Sequence, residues 1–125
     1  LGEFMAVNYA QYNTNGMELV LWGFFVSTVL LYHATFMVNS VCHVFGHRTY
    51  DTKDGSVNNF LVAILTLGEG WHNNHHAFPN SEKQGHKWYQ IDISHYILWS
   101  LSKIGVVWKI RDVPDDSIKE RLYGV

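Results

Sequence analysis

The longest apolar stretch of the chain runs from Met17 to Val38, MELVLWGFFVSTVLLYHATFMV. Its aromatic and aliphatic side chains fall on every face of a helix, so the helix would have no polar face to turn towards water. About 20 predominantly apolar residues is the length that crosses the hydrocarbon core of a bilayer. The pattern therefore predicts a transmembrane helix over residues 17–38, in preference to a buried helix of a soluble protein.

Two shorter apolar patterns follow this stretch. FLVAILTL, residues 60–67, is too short to cross a bilayer and predicts a buried or interfacial helix. In residues 94–110, apolar side chains recur at helical spacing on one stripe: Ile97, Leu101, Ile104 and Trp108. The stripe predicts an amphipathic helix, capped by Asp92 or Ser94, that lies on a membrane or packs on the body of the protein.

The polar positions predict where these elements end. We expect the first helix to continue past the bilayer through Asn39 and His43 and to stop near Gly46. Residues 111–125, RDVPDDSIKERLYGV, are rich in charge and predict an exposed tail. The chain starts with neither an initiator methionine nor the basic segment of a signal peptide, so we expect it to begin within a longer protein.

Charge is distributed unevenly along the chain. All nine Lys and Arg residues lie at or beyond Arg48, whereas the first 47 residues carry only two carboxylates, Glu3 and Glu18. Basic residues mark the cytosolic side of a transmembrane helix, so we expect residues 39–110 on that side. The formal net charge of −2 gives no electrostatic basis for binding nucleic acid. These patterns predict an all-α membrane protein with a cytosolic helical region.

Residues 68–76, GEGWHNNHH, gather three histidines with the i, i+3, i+4 spacing that places side chains on one face of a helix: His72, His75 and His76. Neutral imidazole is the commonest nitrogen ligand of metals in proteins. Asn39 and His43 have the spacing of one helical turn and could meet this face. The lack of a cysteine cluster disfavours structural zinc, but imidazole suits zinc, copper, iron and nickel alike. A haem held by two histidines does not require adjacent ones.

Three segments together resemble one protein family. They are NSVCHVFGHRTYDT (39–52), SVNN (56–59) and LGEGWHNNHHAFP (67–79). In this order they resemble the C-terminal third of the membrane-bound fatty-acyl desaturases. Within that family they are similar to the bacterial and cyanobacterial Δ9 acyl-CoA or acyl-lipid desaturases, which are related to animal stearoyl-CoA desaturase. The resemblance covers roughly residues 19–111.

The resemblance implies a site with two iron ions in a nearly all-histidine shell, on the cytosolic side of a larger bundle of transmembrane helices. The metal-binding residues that it implies here are His43, His72, His75, His76 and, through a water molecule, Asn39. We expect Glu69 to orient a ligand imidazole through its other ring nitrogen. Thr35 and Phe36 match positions that line the acyl tunnel, although the family often has Trp at the position of Phe36. No catalytic residue beyond the metal ligands is implied.

The implied activity is the O₂-dependent introduction of a cis double bond, at Δ9, into a saturated acyl chain. The implied partners are an acyl-CoA or acyl-lipid substrate and an electron donor such as ferredoxin or cytochrome b5. The first two histidine boxes of the family, HxxxxH and HxxHH, would lie upstream, so we expect a fragment that is inactive alone. Two alternatives stay open: a membrane di-iron lipid hydroxylase or ketolase, and a non-catalytic membrane module that binds a single zinc ion.

Overall fold

The computed structural model describes Phe4, Val7 and residues 15–122, and the regular structure among them is helical. By its contacts the chain divides into two compact units, Leu1–Thr35 and Phe36–Val125. The helices of the described part are α1 (Gly16–Val41), α2 (Phe60–Leu65), α3 (His72–Ala77), α4 (Ile93–Lys103) and α5 (Asp115–Glu120). Two isolated β-bridges, His47 with Asn58 and Tyr50 with Leu122, are the extended pairings in the same residues.

Helix α1 is the apolar helix that the sequence predicts. Residues Leu21–Val26 within it form a π-helical segment. Asn15 caps its first turn, because the Asn15 side chain accepts a hydrogen bond from the Glu18 amide at 2.9 Å. By length and composition α1 is long and apolar enough to cross a membrane, and no residue of its most apolar window is buried within the protein. The predicted element is therefore present and begins and ends within three residues of the predicted range.

The end of α1 differs from the prediction. The helix stops at Val41, so the expected continuation through His43 to Gly46 is wrong. After Val41 the backbone closes into tight turns, with the His43 amide bonded to the Ser40 carbonyl at 3.2 Å and the Val44 amide to the Val41 carbonyl at 3.0 Å. Such i to i+3 bonds are typical of the tightened turn at the end of a helix. His43 therefore lies in a turn directly beyond the helix.

Helix α4 is shorter than the predicted 94–110. Asp92 caps it as expected by accepting from the His95 amide at 3.0 Å. At its other end, the Gly105 amide bonds to the Ser102 carbonyl and the Val106 amide to the Leu101 carbonyl. These paired bonds around a glycine with φ of 75° form a Schellman motif, which ends a helix. Trp108 thus lies outside the helix and does not extend its apolar stripe.

The segment before the histidines packs tightly on α2. Trp71 is 1% exposed, and its indole nitrogen donates to the Ile91 carbonyl at 2.8 Å. A Cβ atom on Gly70 would collide with the backbone of Ala63 in α2, so only glycine permits this approach. The predicted helix over 60–67 ends at Leu65, and turns connect it to α3. The GEGW frame therefore sets the distance between α2 and the histidine helix.

A buried amide network holds α3 to the loop that precedes α2. The Asn73 side-chain oxygen accepts from the Thr49 and Tyr50 amides, each at 2.8 Å, and its nitrogen donates to the Tyr50 carbonyl at 3.1 Å. The Asn58 side-chain oxygen accepts from the amides of Asn73 and Asn74 at the start of α3, at 3.0 and 3.2 Å. All three asparagines are 0% exposed. Buried polar groups that are fully paired fix one geometry, because any other leaves them unsatisfied.

The same network continues from α3 into the segment before α4. The Asn74 side-chain nitrogen donates to the Gln84 backbone carbonyl at 2.7 Å and to the Gln90 side-chain oxygen at 3.0 Å. That Gln90 oxygen also accepts from the His86 and Lys87 amides, each at 2.9 Å. Through Asn73 and Asn74, α3 is therefore hydrogen-bonded to irregular segments on both sides.

Among residues 111–114 and 116–122 of the charged tail, most are exposed and none is buried. Asp115–Glu120 form α5, and beyond it the Arg121 guanidinium lies 5.1 Å from the centre of the Phe78 ring and donates to the Ala77 carbonyl at the end of α3. The Asp51 amide donates to the Arg121 carbonyl at 3.0 Å. Arg121 is itself exposed, and its hydrogen bonds and ring contact connect the charged tail to the end of the histidine helix.

Replacing Asn73 tests the importance of the amide network. Asn73→Ala leaves two buried backbone amides without acceptors, and each such group costs about 1–3 kcal/mol. We expect the free energy of unfolding to fall by about 3 kcal/mol, measured by thermal or denaturant unfolding followed by circular dichroism. Asn80→Ala is the matched control, because Asn80 is exposed and is not among the hydrogen-bonded residues of the network. Equal stability of the two variants would contradict this account.

Candidate metal centre

Three imidazoles from two parts of the chain converge on one point. The Nε2 atom of His72 lies 3.2 Å from Nε2 of His43 and 3.0 Å from Nε2 of His76. One ring nitrogen from each histidine falls within 4.8 Å of the others. His72 and His76 lie one turn apart on α3, whereas His43 comes from the turn after α1.

These separations match a shared metal ion. Two imidazole nitrogens that bind one ion at about 2.1 Å lie roughly 3.0–3.4 Å apart, depending on the coordination geometry. The same distances also suit N–H···N hydrogen bonds between the rings, whose direction depends on the tautomer of each histidine. The donor set is all nitrogen, and the buried Cys42 contacts the Gly70 carbonyl at 3.8 Å. The three histidines therefore fit a divalent transition metal that accepts imidazole.

A carboxylate fixes the orientation of one of the three rings. The Nδ1 atom of His76 lies 2.6 Å from a carboxylate oxygen of Asp54. This contact places the proton of His76 on Nδ1 and leaves Nε2 free to bind a metal. Asp54 comes from the loop that the amide network holds against α3. The local sequence gives no signal for this role, because Asp54-Gly55 has the composition of an ordinary turn.

The protonation states of the site suit metal binding. Burial, with smaller contributions from the neighbouring histidines, lowers the pKa of His72 to about 4, so its imidazole is neutral near pH 7. Partial burial acts to raise the pKa of Asp54, but hydrogen bonds from Ser56 and His76 outweigh it and hold that pKa well below its usual range. The site therefore pairs a neutral metal-binding nitrogen with an ionised carboxylate behind a neighbouring ring.

His75 lies beside this cluster without belonging to it. Its ring centre is 6.1 Å from that of His72 and 5.8 Å from that of His76. Its Nδ1 atom is buried and has no hydrogen-bond partner. A buried nitrogen without a partner is costly unless a ligand satisfies it. The structure thus separates the three histidines of the HNNHH segment into two that meet His43 and one that does not.

The other predicted site residues take varied positions. Asn39 is exposed in the last turn of α1, four residues before His43. Glu69, expected to orient a histidine, instead accepts a hydrogen bond from the Gln84 side chain at 3.1 Å. Thr35 donates to the Leu31 carbonyl at 2.9 Å, and Phe36 is exposed on α1. Their assigned roles in water-mediated binding, ligand orientation and the acyl tunnel stay predictions.

Two histidines outside the cluster have structural partners. The Tyr50 hydroxyl donates to Nδ1 of His86 at 2.9 Å, and the opposite nitrogen donates to the Lys83 carbonyl at 3.2 Å. Burial lowers the pKa of His86, which keeps it in this neutral form. His95 lies 2.8 Å from the Glu82 carboxylate. Both rings therefore join loops and helices together at a distance from the metal cluster.

The sequence of residues 4–109 matches the family model described as fatty acid desaturase. The chain belongs to the fatty acid desaturase family. It is 47% identical over 107 residues to a probable chloroplastic lipid desaturase of Arabidopsis thaliana, a match that covers 86% of this chain and 30% of that protein. The family uses iron, and the three-histidine cluster is a suitable place for it in this desaturase chain.

The names of other relatives specify different substrates and double-bond positions. An acyl-CoA 5-desaturase of Anemone leveillei is 44% identical over 111 residues, with 89% of this chain and 34% of that protein covered. Delta-9 acyl-lipid desaturase 1 of Arabidopsis thaliana is 38% identical over 122 residues, with 98% and 40% covered. The desaturase chain described here therefore spans about a third of the length of these curated relatives.

Replacing single histidines tests the assignment of the cluster. His43→Ala, His72→Ala and His76→Ala each remove one converging nitrogen, so we expect each variant to retain less iron than the unchanged protein after purification. The measurement is metal content by inductively coupled plasma mass spectrometry. His47→Ala is the control, because His47 is exposed and pairs with Asn58 through backbone atoms alone. Full iron content in all three variants would show that the metal binds elsewhere.

Proposed function

We propose that this chain is the C-terminal part of a di-iron fatty acid desaturase that introduces a cis double bond into a saturated acyl chain. The observation that carries the proposal is the convergence of three Nε2 atoms, at 3.0 and 3.2 Å, in a chain whose family desaturates lipids. The relatives named above include both 5-desaturases and Δ9 desaturases, so family membership alone does not fix the position. We assign Δ9 from the resemblance of the histidine segments.

The geometry supports dividing the histidines between two ions. His43, His72 and His76 would hold one iron, with Asn39 binding through a water molecule. His75 would belong to the second iron, because its unpartnered buried nitrogen lies outside the three-histidine cluster. The remaining ligands of that ion would come from histidine boxes in the part of the relatives that this chain does not cover. Completion of the site thus requires the rest of the protein.

We further propose that α1 crosses the membrane and that the metal centre lies on its cytosolic side. The length and apolar composition of α1 support the first part. The confinement of all Lys and Arg to positions at or beyond Arg48 supports the second, since basic residues stay on the cytosolic side. In the complete protein, Thr35 and Phe36 would line the tunnel that holds the acyl chain.

The contribution of this chain to the reaction is positioning. When bound, iron supplies the O₂-dependent oxidation that removes one hydrogen from each of two adjacent carbons, and an electron donor such as ferredoxin or cytochrome b5 supplies two electrons. The buried asparagines hold α3 so that His72 and His76 keep one geometry through each turnover. The substrate would be an acyl-CoA or an acyl-lipid, held so that one carbon–carbon bond lies at the metal centre.

Expression of the complete protein in a host that lacks desaturase activity, with a working electron donor, tests this function. We expect new cis-monounsaturated acyl chains in the host lipids, identified by gas chromatography and mass spectrometry. His72→Ala and His76→Ala should reduce them to background, because each loses a metal ligand, whereas His47→Ala should retain them.

Three results, from the host lipids or from the metal content of the purified protein, would contradict the proposal. A hydroxylated or keto lipid would assign the protein to a related oxygenase class. A purified protein that holds a single zinc ion, and no iron, would identify a non-catalytic metal-binding module. Unchanged lipids in a host that contains the iron-loaded protein and a reduced donor would exclude acyl desaturation.

A further inference from the structure

Among the three clustered histidines, one differs in what its outer ring nitrogen contacts. Within the described residues, His76 is the member of the cluster whose outer nitrogen meets a carboxylate, at 2.6 Å from Asp54. The outer nitrogens of His43 and His72 have no carboxylate contact among the described residues, and the Asp54 carboxylate is held at this distance by hydrogen bonds within its own loop. The three nitrogen donors are therefore electrostatically unequal.

Asp54 is held in place by its own loop. Its backbone carbonyl accepts a hydrogen bond from the Arg48 guanidinium at 2.5 Å, and its Oδ1 accepts from the Ser56 amide at 2.9 Å. Arg48 also donates to the Thr52 carbonyl at 2.6 Å. These bonds leave the second carboxylate oxygen directed at His76. The loop thus presents Asp54 in a fixed position before any metal binds.

The amide network links this loop to the helix that carries His76. Asn73, three residues before His76, bonds to the backbone of Tyr50 on both its amide and its carbonyl. Asn73 also donates to the Thr52 and Ser56 hydroxyls, at 3.3 and 3.4 Å. These bonds fix the distance between the loop that carries the Asp54 carboxylate and the helix that carries the His76 imidazole.

A purely stabilising ion pair is a poor explanation for this arrangement. The Asp54 and His76 side chains are 40% and 31% exposed, and ion pairs at such sites contribute at most about 1 kcal/mol. A carboxylate behind a metal-binding imidazole acts differently, because it fixes the tautomer and increases the basicity of the nitrogen that binds the metal.

We propose that Asp54 is a positioning residue that makes His76 the strongest donor of the three-histidine cluster. Through His76 it increases the affinity of the site for iron and lowers the reduction potential of the bound ion, since a more basic ligand favours the oxidised state. The inference rests on the proposed iron centre of the desaturase. It assigns to the turn segment a role in setting the metal's electronic properties.

Two substitutions separate the contact from the charge. Asp54→Asn keeps an oxygen that can accept from His76 but removes the negative charge, and Asp54→Ala removes both. In the complete iron-loaded protein we expect iron affinity to fall by about 10- to 100-fold, more in Asp54→Ala than in Asp54→Asn. Affinity is measured by competition with a chelator. The reduction potential of the centre, measured by spectroelectrochemical titration, should become more positive in Asp54→Asn.

Asp51→Asn is the matched control. Asp51 is exposed and lines the same cavity of about 560 Å³ as Asp54 and His76, and its described hydrogen bond is made by its backbone amide. We expect iron affinity and potential in this variant to equal those of the unchanged protein. A double variant gives the second control: in a His76→Ala background, Asp54→Asn should cause no further loss of affinity, because Asp54 acts through His76.

The outcomes distinguish this inference from the function on which it rests. An unchanged protein that binds no iron would overturn the proposed desaturase centre itself. An unchanged protein that binds iron, with affinity and potential identical in Asp54→Asn and Asp54→Ala, would overturn the role of Asp54 alone. An equal loss of iron affinity in Asp51→Asn would also overturn it, as would a further loss of affinity on adding Asp54→Asn to His76→Ala. Either result would attribute the effect to overall charge or to folding and not to the contact with His76.

Discussion

The hydrogen bonds between Asn73 and the backbone of Thr49 and Tyr50 are the constraint on which the rest of the site depends. A helix of six residues is too short to be stable by itself in water. It persists because two asparagines between its histidines are completely buried and bonded to neighbouring loops. The buried asparagines, which are not among the proposed metal ligands of this helix, thereby fix the position of its histidines.

This arrangement divides the HNNHH segment into two functions. Its asparagines bond to the neighbouring loops, whereas His72 and His76 meet His43 and His75 lies beside them. His43 joins them because the chain turns at the end of α1, and Asp54 joins because the Asn73 bonds hold its loop. Each component comes from a different part of the chain, separated by 22 residues between Asp54 and His76 and by 29 between His43 and His72. The geometry of the site is thus a tertiary property.

Local patterns predicted the elements better than their ends and contacts. The apolar length of α1, the Asp92 cap and the spacing of His72 and His76 are each determined within a few neighbouring residues, and the structure contains them. The end of α4 could have been found too, because Gly105 is the residue that a Schellman motif requires. The turn that carries His43 has no such signal. Asp54 resembled an ordinary turn residue, and only a long-range contact distinguishes it from Asp51.

The central claim is that His43, His72 and His76 share one iron ion. Anomalous X-ray diffraction from crystals of the complete protein, recorded on both sides of the iron absorption edge, tests it most directly. The account predicts an iron peak within about 2.0–2.3 Å of all three Nε2 atoms, with His75 directed at a second peak. Absence of an iron peak between these atoms, or a peak that appears at the zinc edge in its place, would contradict the account.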